Sequence, residues 1–347
     1  NCRAAARFLN FADKQFPAGL VGSLIEAFKQ ISQDVDVERV ELEALVAQYG
    51  TENRVVLVAG LDFSGSSAVF DFLQEFEDAV AVKTEIPHLS RGRYCLYEVS
   101  RHLDDRATLR RYSLEFFCRY ILGSSRIGEA MDFRIHKFAR RRMLSTSARV
   151  YAESVKTCGT LIRAMNSETS LRGRRQIFHA LVNQVLNEIV LEKPLKHGEI
   201  LVLRNAIKAV NLSQAESLGS FTVFACFRDP RDAYVAQTRE KFHLGIPVNT
   251  WVERASQNYE LAEMALRSNE ERNSHSSMVR VQFEQFVQSE STRRTVVDFA
   301  GLSNSVSSPG KLFEPSRSQK NIGIFRDFGE PSAVSVIEQR MTKFLYG

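Results

Sequence analysis

The hydrophobic pattern of the chain predicts short buried strands that alternate with helices. Residues 55–59 form a continuous apolar run, which is typical of a strand covered on both faces. Four further apolar runs have the length of short strands: residues 78–83, 200–204, 221–227 and 278–282. A stretch of helical character follows each run, and strands that alternate with helices form a largely parallel sheet. The pattern therefore predicts an α/β fold of three layers, with a central, mainly parallel sheet between helices.

Helical stretches are also predicted before the first strand and between the second and third strands. Residues 1–50 predict an N-terminal helical extension that packs on the main domain, with a partner-binding helix pair as the alternative. The α/β domain is expected to span residues 51–347 and to contain a helical insert at about 99–195. The basic run 172–175 predicts a loop-like break inside that insert.

Composition and charge narrow the class of protein. The 347 residues include 46 Lys and Arg against 41 Asp and Glu, a net charge of +5 that mildly favours an anionic ligand. The basic residues are spread along the chain and form no stripe, so nucleic acid is not an expected partner. No run approaches the roughly 20 apolar residues that a membrane span needs. The six histidines other than His88 show no metal-ligand spacing, so no metal is expected.

The five cysteines favour a reducing compartment. They are widely spaced, odd in number and contain no CxxC pair, which is typical of reduced thiols rather than a disulfide framework. The expected location is therefore cytoplasmic. The sequence begins at Asn1 and not at Met, so it is compatible with a signal or anchor segment upstream of Asn1.

A phosphate-binding turn is predicted after the first apolar run. The run leads into Gly60 and then into a turn of small residues before a helix: Ser64, Gly65, Ser66 and Ser67. Such a turn points backbone N–H groups and a helix N-terminus at one place, which suits a phosphate. The ATP-binding pattern GxxxxGK[ST] requires lysine where Ser66 stands, so an ordinary Mg-ATP site is not expected. The structural alternative is a plain turn in which Ser66 or Ser67 caps the helix.

A second charged motif follows the fourth apolar run. Pro230 suits the first turn of a helix, and Asp229 is placed to cap it. Arg228 and Arg231 are then expected at the carboxyl end of the sheet, where open parallel sheets bind ligands. The structural alternative is an ion pair such as Arg228 with Asp232.

Together the two segments resemble the sulfotransferases that use 3′-phosphoadenosine 5′-phosphosulfate (PAPS). Gly60-Leu-Asp-Phe-Ser-Gly-Ser-Ser67 is similar to the phosphosulfate loop of that family, and Phe227-Arg-Asp-Pro-Arg-Asp232 to its second signature. Weaker likenesses occur at 201–205, 279–286 and 299–302. The resemblance covers about residues 54–330 and implies a P-loop-like fold, with PAPS as cofactor, PAP as product and no metal.

The resemblance also implies residue roles. Ser64, Gly65, Ser66 and Ser67 would hold the 5′-phosphosulfate, Arg228 would contact the 3′-phosphate, and Lys320 would lie on a late loop over the nucleotide. A cation over a phosphate is physically reasonable, whereas the alternative for Lys320 is a solvated loop lysine. The full predicted cofactor site is Gly60, Ser64, Gly65, Ser66, Ser67, Arg228, Arg231, Gln237 and Lys320.

The chain departs from the family pattern at two positions. Phe63 stands where the family usually has Lys or Arg, and Ala236 where it usually has Ser. Gln237 and Thr238 are the candidates to replace the missing serine contact to the 3′-phosphate. Arg204, which ends a strand, is the better candidate for the missing cation, and Lys83 is the other.

Sulfuryl transfer needs a base for the acceptor hydroxyl or amine. Glu85, after the second strand, is the predicted general base, with His88 as runner-up and an exposed turn carboxylate as the structural alternative. Asn205 is a candidate for positioning the acceptor. Two basic groups favour an anionic glycan as acceptor, although such runs also form ordinary solvated helix faces: Lys137 with Arg140, Arg141 and Arg142, and Arg172 with Arg174 and Arg175.

The predicted function is therefore transfer of the sulfuryl group of PAPS to an acceptor, with Glu85, Arg204 and His88 as catalytic candidates. The first alternative is a catalytically degenerate sulfotransferase fold that binds nucleotide or glycan. The second is a P-loop kinase, which the missing lysine disfavours.

Overall fold

A computed structural model of the chain describes residues 39–49, 54–82, 86–90, 92–121, 148–190, 195–240, 246–272 and 276–347. The chain forms two compact units. One comprises Asn1–Asn53 with Ile86–Leu195, and the other Arg54–Glu85 with Lys196–Gly347. The first is helical in its described part, and the second contains the sheet.

The strands are β1 Val55–Gly60, β2 Ala79–Val82, β3 Ile200–Arg204, β4 Thr222–Phe227 and β5 Ser277–Gln282. The helices are α1 Arg39–Tyr49, α2 Ser66–Leu73, α3 Pro87–Ser90, α4 Leu96–Ser100, α5 Arg106–Phe116, α6 Ala148–Ser167, α7 Leu171–Gln184, α8 Ser213–Leu218, α9 Pro230–Arg239, α10 Val248–Arg272, α11 Phe283–Gln288, α12 Glu290–Ala300, α13 Pro315–Gln319 and α14 Pro331–Arg340. Short π-helical segments follow α5 at Phe117–Ile121 and α7 at Val185–Val190. Among the described helices, none is both long and apolar enough to cross a membrane.

The helical unit packs α6 against α7, and α1 contacts both. The prediction of a loop-like break at 172–175 is wrong, because α7 runs through these residues from Leu171. The hydroxyl of Ser170 accepts the N–H of Gly173 at 3.0 Å, and this cap starts the helix just before the basic run. Residues 1–38 of the predicted N-terminal extension lie outside the described residues.

The sheet is entirely parallel, with strand order β2-β3-β1-β4-β5. All five strands lie where the apolar runs predicted them, and the α/β fold is confirmed. Helices α2, α11 and α12 share one core with alternate residues of the strands, such as Val56 and Val58. On the opposite face, Tyr259 of α10 packs its ring edge-on against Phe227 at 5.6 Å. The sheet therefore lies between two helical layers.

The strand order fixes where a ligand is best accommodated. The connection that leaves β1 leads outward to β2, whereas the connection that leaves its neighbour β4 leads in the opposite direction to β5. In open parallel sheets, ligands bind outside the carboxyl ends of the strands at such a switch point. The loops that follow Gly60 and Phe227 therefore border the natural crevice of this sheet.

Candidate anion-binding site

The loop after β1 is a tight turn that needs two unusual backbone conformations. The N–H of Ser64 donates to the carbonyl of Leu61 at 3.0 Å. Phe63 and Gly65 both have left-handed conformations, with φ of 59° and 81°. Glycine adopts such a conformation without steric cost, whereas phenylalanine is strained in it. The turn is thus held in a shape that few sequences adopt.

This turn delivers the N-terminus of α2 to the carboxyl end of the sheet. The first backbone hydrogen bonds of the helix run from Ala68 and Val69 back to the carbonyl of Gly65. The N–H groups of Gly65, Ser66 and Ser67 precede these bonds and point out of the helix end. A helix N-terminus with such free N–H groups attracts an anion, because the N–H groups donate hydrogen bonds and the helix dipole is positive at this end.

Gly60 lies so close to the serines of the turn that no side chain fits at this position. A Cβ atom added to Gly60 would lie 2.5 Å from the hydroxyl oxygen of Ser66 and 2.8 Å from that of Ser64. Ser64 is only 1% exposed, and its hydroxyl has no hydrogen-bond partner among the described residues. A buried hydroxyl without a partner indicates a place for a further polar group.

Arg228 lies directly against this turn from the end of β4. Its Nη1 donates to the carbonyl of Phe63 at 3.3 Å and its Nη2 to that of Asn321 at 2.5 Å. Its guanidinium carbon lies 5.1 Å from the centre of the Phe283 ring. Burial lowers the pKa of Arg228, partly offset by the nearby carboxylate of Asp232, but guanidinium stays charged in proteins. The Nε of Arg228 has no partner among the described residues, so one buried donor is left over.

A second guanidinium borders the turn from the end of β3. Arg204 donates from Nη1 to the hydroxyl of Ser67 at 3.3 Å and lies over the ring of Phe70 at 5.6 Å. The next residue, Asn205, has a φ of 50° and accepts the N–H of Gly60 through Oδ1 at 3.2 Å. Asn205 therefore supports the loop itself. Sequence spacing gave no sign of this contact, because it joins residues 145 positions apart.

Arg231 takes part in a structural ion pair. It donates to Asp229 at 2.7 Å and to Glu338 at 2.9 Å, and these bonds raise its pKa. Asp229 also accepts the N–H of Tyr346 at 3.0 Å, and its own N–H donates to Glu284 at 2.8 Å. Burial raises the pKa of Glu284, which is fully buried. The pairing of this motif is thus Asp229 with Arg231, whereas the sequence suggested Arg228 with Asp232 as the structural alternative.

Asp232, in the first turn of α9, binds the late loop, which comprises residues 320–325. Its Oδ2 accepts the N–H of Gly323 at 2.7 Å, and its Oδ1 accepts that of Phe325 at 3.1 Å. Burial raises the pKa of Asp232. Lys320 is exposed on this loop and directly precedes Asn321, the residue bonded to Arg228. The loop with Lys320 therefore lies at the same end of the sheet as Arg228.

The structure describes some of the other predicted site residues and leaves others outside the described ranges. Gln237 is buried, and its Oε1 accepts the indole N–H of Trp251 at 2.5 Å. Glu85 and Lys83 lie outside the described residues, as does the side chain of His88 in α3. Of the two basic groups, Lys137 and Arg140, Arg141 and Arg142 also lie outside them, whereas Arg172 and Arg175 are exposed on α7 and Arg174 is buried.

The arrangement is suited to hold a charged oxyanion. Helix N–H groups, serine hydroxyls and two guanidinium groups meet at the carboxyl ends of β1, β3 and β4. Within the described ranges, no group of three or more His, Cys, Asp or Glu residues is placed to hold a metal ion. No model of a known protein family, no curated protein and no solved structure matches this chain.

Proposed function

We propose that this chain is a PAPS-dependent sulfotransferase with a P-loop-like fold. One observation carries the proposal: two guanidinium groups from different strands lie on the same helix N-terminal turn. Arg204 contacts it at Ser67 and Arg228 contacts it at Phe63, each at 3.3 Å. The turn itself is neutral and does not require two positive charges beside it. A ligand with several phosphate or sulfate groups does require them, because guanidinium groups form strong hydrogen bonds with its charged oxygens.

The two ends of PAPS match the two parts of this site. The 5′-phosphosulfate would accept hydrogen bonds from the N–H groups of residues 65–67 and from the serine hydroxyls, including the unpartnered hydroxyl of Ser64. The 3′-phosphate would lie beside Arg228, whose Nε is free to donate, with Lys320 covering it from the late loop. Arg231 would act indirectly, by holding Asp229 and so the shape of the motif.

The reaction needs an in-line displacement at sulfur. The acceptor oxygen or nitrogen forms a bond to sulfur, and the bond between sulfur and the bridging oxygen breaks to release PAP. Negative charge develops on that bridging oxygen, where Arg204 and the helix N–H groups would stabilise it. Arg204 would thus supply the cation that Phe63 does not. Glu85 stays the predicted general base, with His88 as runner-up.

A non-catalytic relative is the second candidate, and Phe63 favours it. Phe63 offers no charge at the position beside the Ser-Gly step, where the family usually has Lys or Arg. Such a protein would bind PAP but would not consume PAPS with any acceptor. Sensitive measurement of PAP release from PAPS in the presence of an acceptor panel separates the two candidates.

Removal of Arg204 tests the proposed function. Arg204→Gln should weaken PAP binding about 10- to 150-fold, because a hydrogen bond to a charged group contributes roughly 1.5–3 kcal/mol, and it should slow PAPS turnover further. Isothermal titration with PAP measures the first effect. Arg294→Gln on α12 is the matched control, since that side chain is 77% exposed and pairs with Glu290 on the same helix. Equal PAP affinity in both variants would contradict the role of Arg204.

A further inference from the structure

A buried carboxylate holds the connection between α12 and α13. Glu75, just after the end of α2, is only 4% exposed. Its Oε1 accepts the N–H groups of Leu312 at 2.7 Å and Phe313 at 2.9 Å, and its Oε2 accepts that of Gly310 at 3.1 Å. Its backbone carbonyl also accepts the N–H of Ser307 at 2.8 Å. Glu75 therefore holds residues 307–313, which we call the Glu75 loop.

The middle of the Glu75 loop is an exposed turn. The N–H of Lys311 donates to the carbonyl of Ser308 at 3.2 Å. Pro309 follows this serine, and Gly310 has a φ of 69°, as in a type II β-turn. Ser308 is partly exposed, and the three residues after it are exposed. The Ser308 hydroxyl forms no hydrogen bond with any other described residue, so nothing in that part of the chain competes for it.

The sequence around Ser308 has the pattern of a proline-directed phosphorylation site. Of the 8 prolines in the chain, Pro309 is the one that follows a serine or threonine. In a proline-directed kinase, the pocket after the target serine offers no acceptor for a backbone N–H. Such a pocket disfavours every residue that has an N–H and tolerates proline, which has none. Cyclin-dependent kinases also prefer a cation three residues after the serine, where Lys311 stands.

We propose, beyond the proposed function and independently of it, that Ser308 is a phosphorylation site for a proline-directed protein kinase and that the phosphate releases the Glu75 loop. In this step the Ser308 hydroxyl oxygen bonds to the γ-phosphorus of ATP. The bond from that phosphorus to the bridging oxygen of ADP breaks, and the hydroxyl proton passes to the base of the kinase. Because a kinase binds its substrate extended, the turn at 308–311 opens during the reaction.

The new phosphate disfavours closure of the loop afterwards. A phosphoserine carries a charge of about −2 near neutral pH, and a neighbouring carboxylate repels it. Ser307 on one side of Ser308 and Gly310 on the other are both bonded to Glu75. Two residues of chain span at most about 7 Å, which is comparable with the Debye length of about 8 Å at physiological salt, so screening is incomplete. Lys311 offsets only part of the added charge.

Incubation of the full chain with ATP and a purified cyclin-dependent kinase tests the site. We expect incorporation of one phosphate, located at Ser308 by tandem mass spectrometry, and none in Ser308→Ala. Lys311→Ala should slow incorporation about tenfold, because it removes the cation that the kinase prefers. Ser305→Ala, in the same connection but not followed by proline, should react at the wild-type rate. Absence of phosphate from Ser308 in the wild-type chain would overturn the proposal.

Two glutamates near the end of α2 make a matched pair of variants. Glu75→Gln should be phosphorylated several-fold faster than the wild-type chain, because a glutamine NH₂ group cannot accept the N–H groups that hold the loop. Glu77→Gln should react at the wild-type rate, since Glu77 is exposed. Equal rates in the two variants would contradict the control of this site by Glu75.

Hydrogen–deuterium exchange measures the release of the loop. After phosphorylation at Ser308, the N–H groups of Gly310, Leu312 and Phe313 should exchange at least about tenfold faster, because their acceptor on Glu75 is lost. The amides of β1 should exchange at an unchanged rate. Unchanged exchange of the loop in fully phosphorylated protein would show that the phosphate does not release it. PAP binding enters none of these measurements, so failure of the proposed function leaves this inference intact.

Discussion

Replacement of Gly65 by alanine is expected to destabilise the sheet unit and to abolish PAP binding. The residue has a φ of 81°, which costs an L-residue roughly 1–2 kcal/mol. Its new Cβ atom would also overlap the ring of Phe283, a residue that supports both the turn and Arg228. Overpacking of this kind costs about 1–3 kcal/mol more. The turn and the guanidinium beside it would both have to move.

Gly310→Ala separates backbone strain from this steric overlap. Gly310 has a similar φ of 69°, but a Cβ atom there meets nothing within 4 Å. Urea unfolding of both variants should show a loss at Gly65 that exceeds the loss at Gly310 by about 1–3 kcal/mol, and PAP titration should fail only for Gly65→Ala. Equal losses of stability, with PAP binding retained in both, would contradict the close packing of Gly65 on Phe283.

Asp229→Ala is expected to have the largest effect on stability. Asp229 caps α9 through the N–H of Arg231, binds the Arg231 guanidinium and accepts the N–H of Tyr346. Loss of a cap costs roughly 1 kcal/mol, and removal of one partner from a buried ion pair costs about 3–5 kcal/mol. The side chains of Asp229 and Arg231 are 3% and 12% exposed, so solvent does little to weaken this pair.

Denaturant unfolding measures this loss against Asp298→Ala. Asp298 is exposed on α12, and substitution there should change stability by no more than about 0.5 kcal/mol. Asp229→Asn should lie between the two, because the amide oxygen still caps the helix but carries no charge. An Asp229→Ala protein as stable as the Asp298→Ala protein would mean that this motif does not hold α9 and the C-terminal segment together.

Periodicity predicted the strands of this fold well, for a physical reason. A strand buried on both faces must be apolar, and β1 and the first four residues of β3 are such apolar runs. The order of the strands depends on packing between distant parts of the chain, and local sequence predicts only that they are parallel. The basic run at 172–175 was misinterpreted because its charges suggested a loop, whereas Ser170 two residues earlier decided the helix start.

The candidate site was predicted in part. Gly60, the serines and Arg228 meet as expected, because motifs that follow neighbouring parallel strands end at the same edge of the sheet. The roles of Phe283 and Asn205 could not be predicted, since both depend on contacts across most of the chain.

This site is proposed to bind a 3′-phosphorylated adenosine nucleotide. Its most direct test is a thermal unfolding titration of the wild-type chain with PAP, ADP and Mg-ATP side by side. A ligand at 100 times its dissociation constant adds about 2.7 kcal/mol of stability, which such a titration readily detects. The proposed function predicts a clearly larger shift with PAP than with ADP or Mg-ATP. No shift with PAP, or a larger one with Mg-ATP, would contradict it.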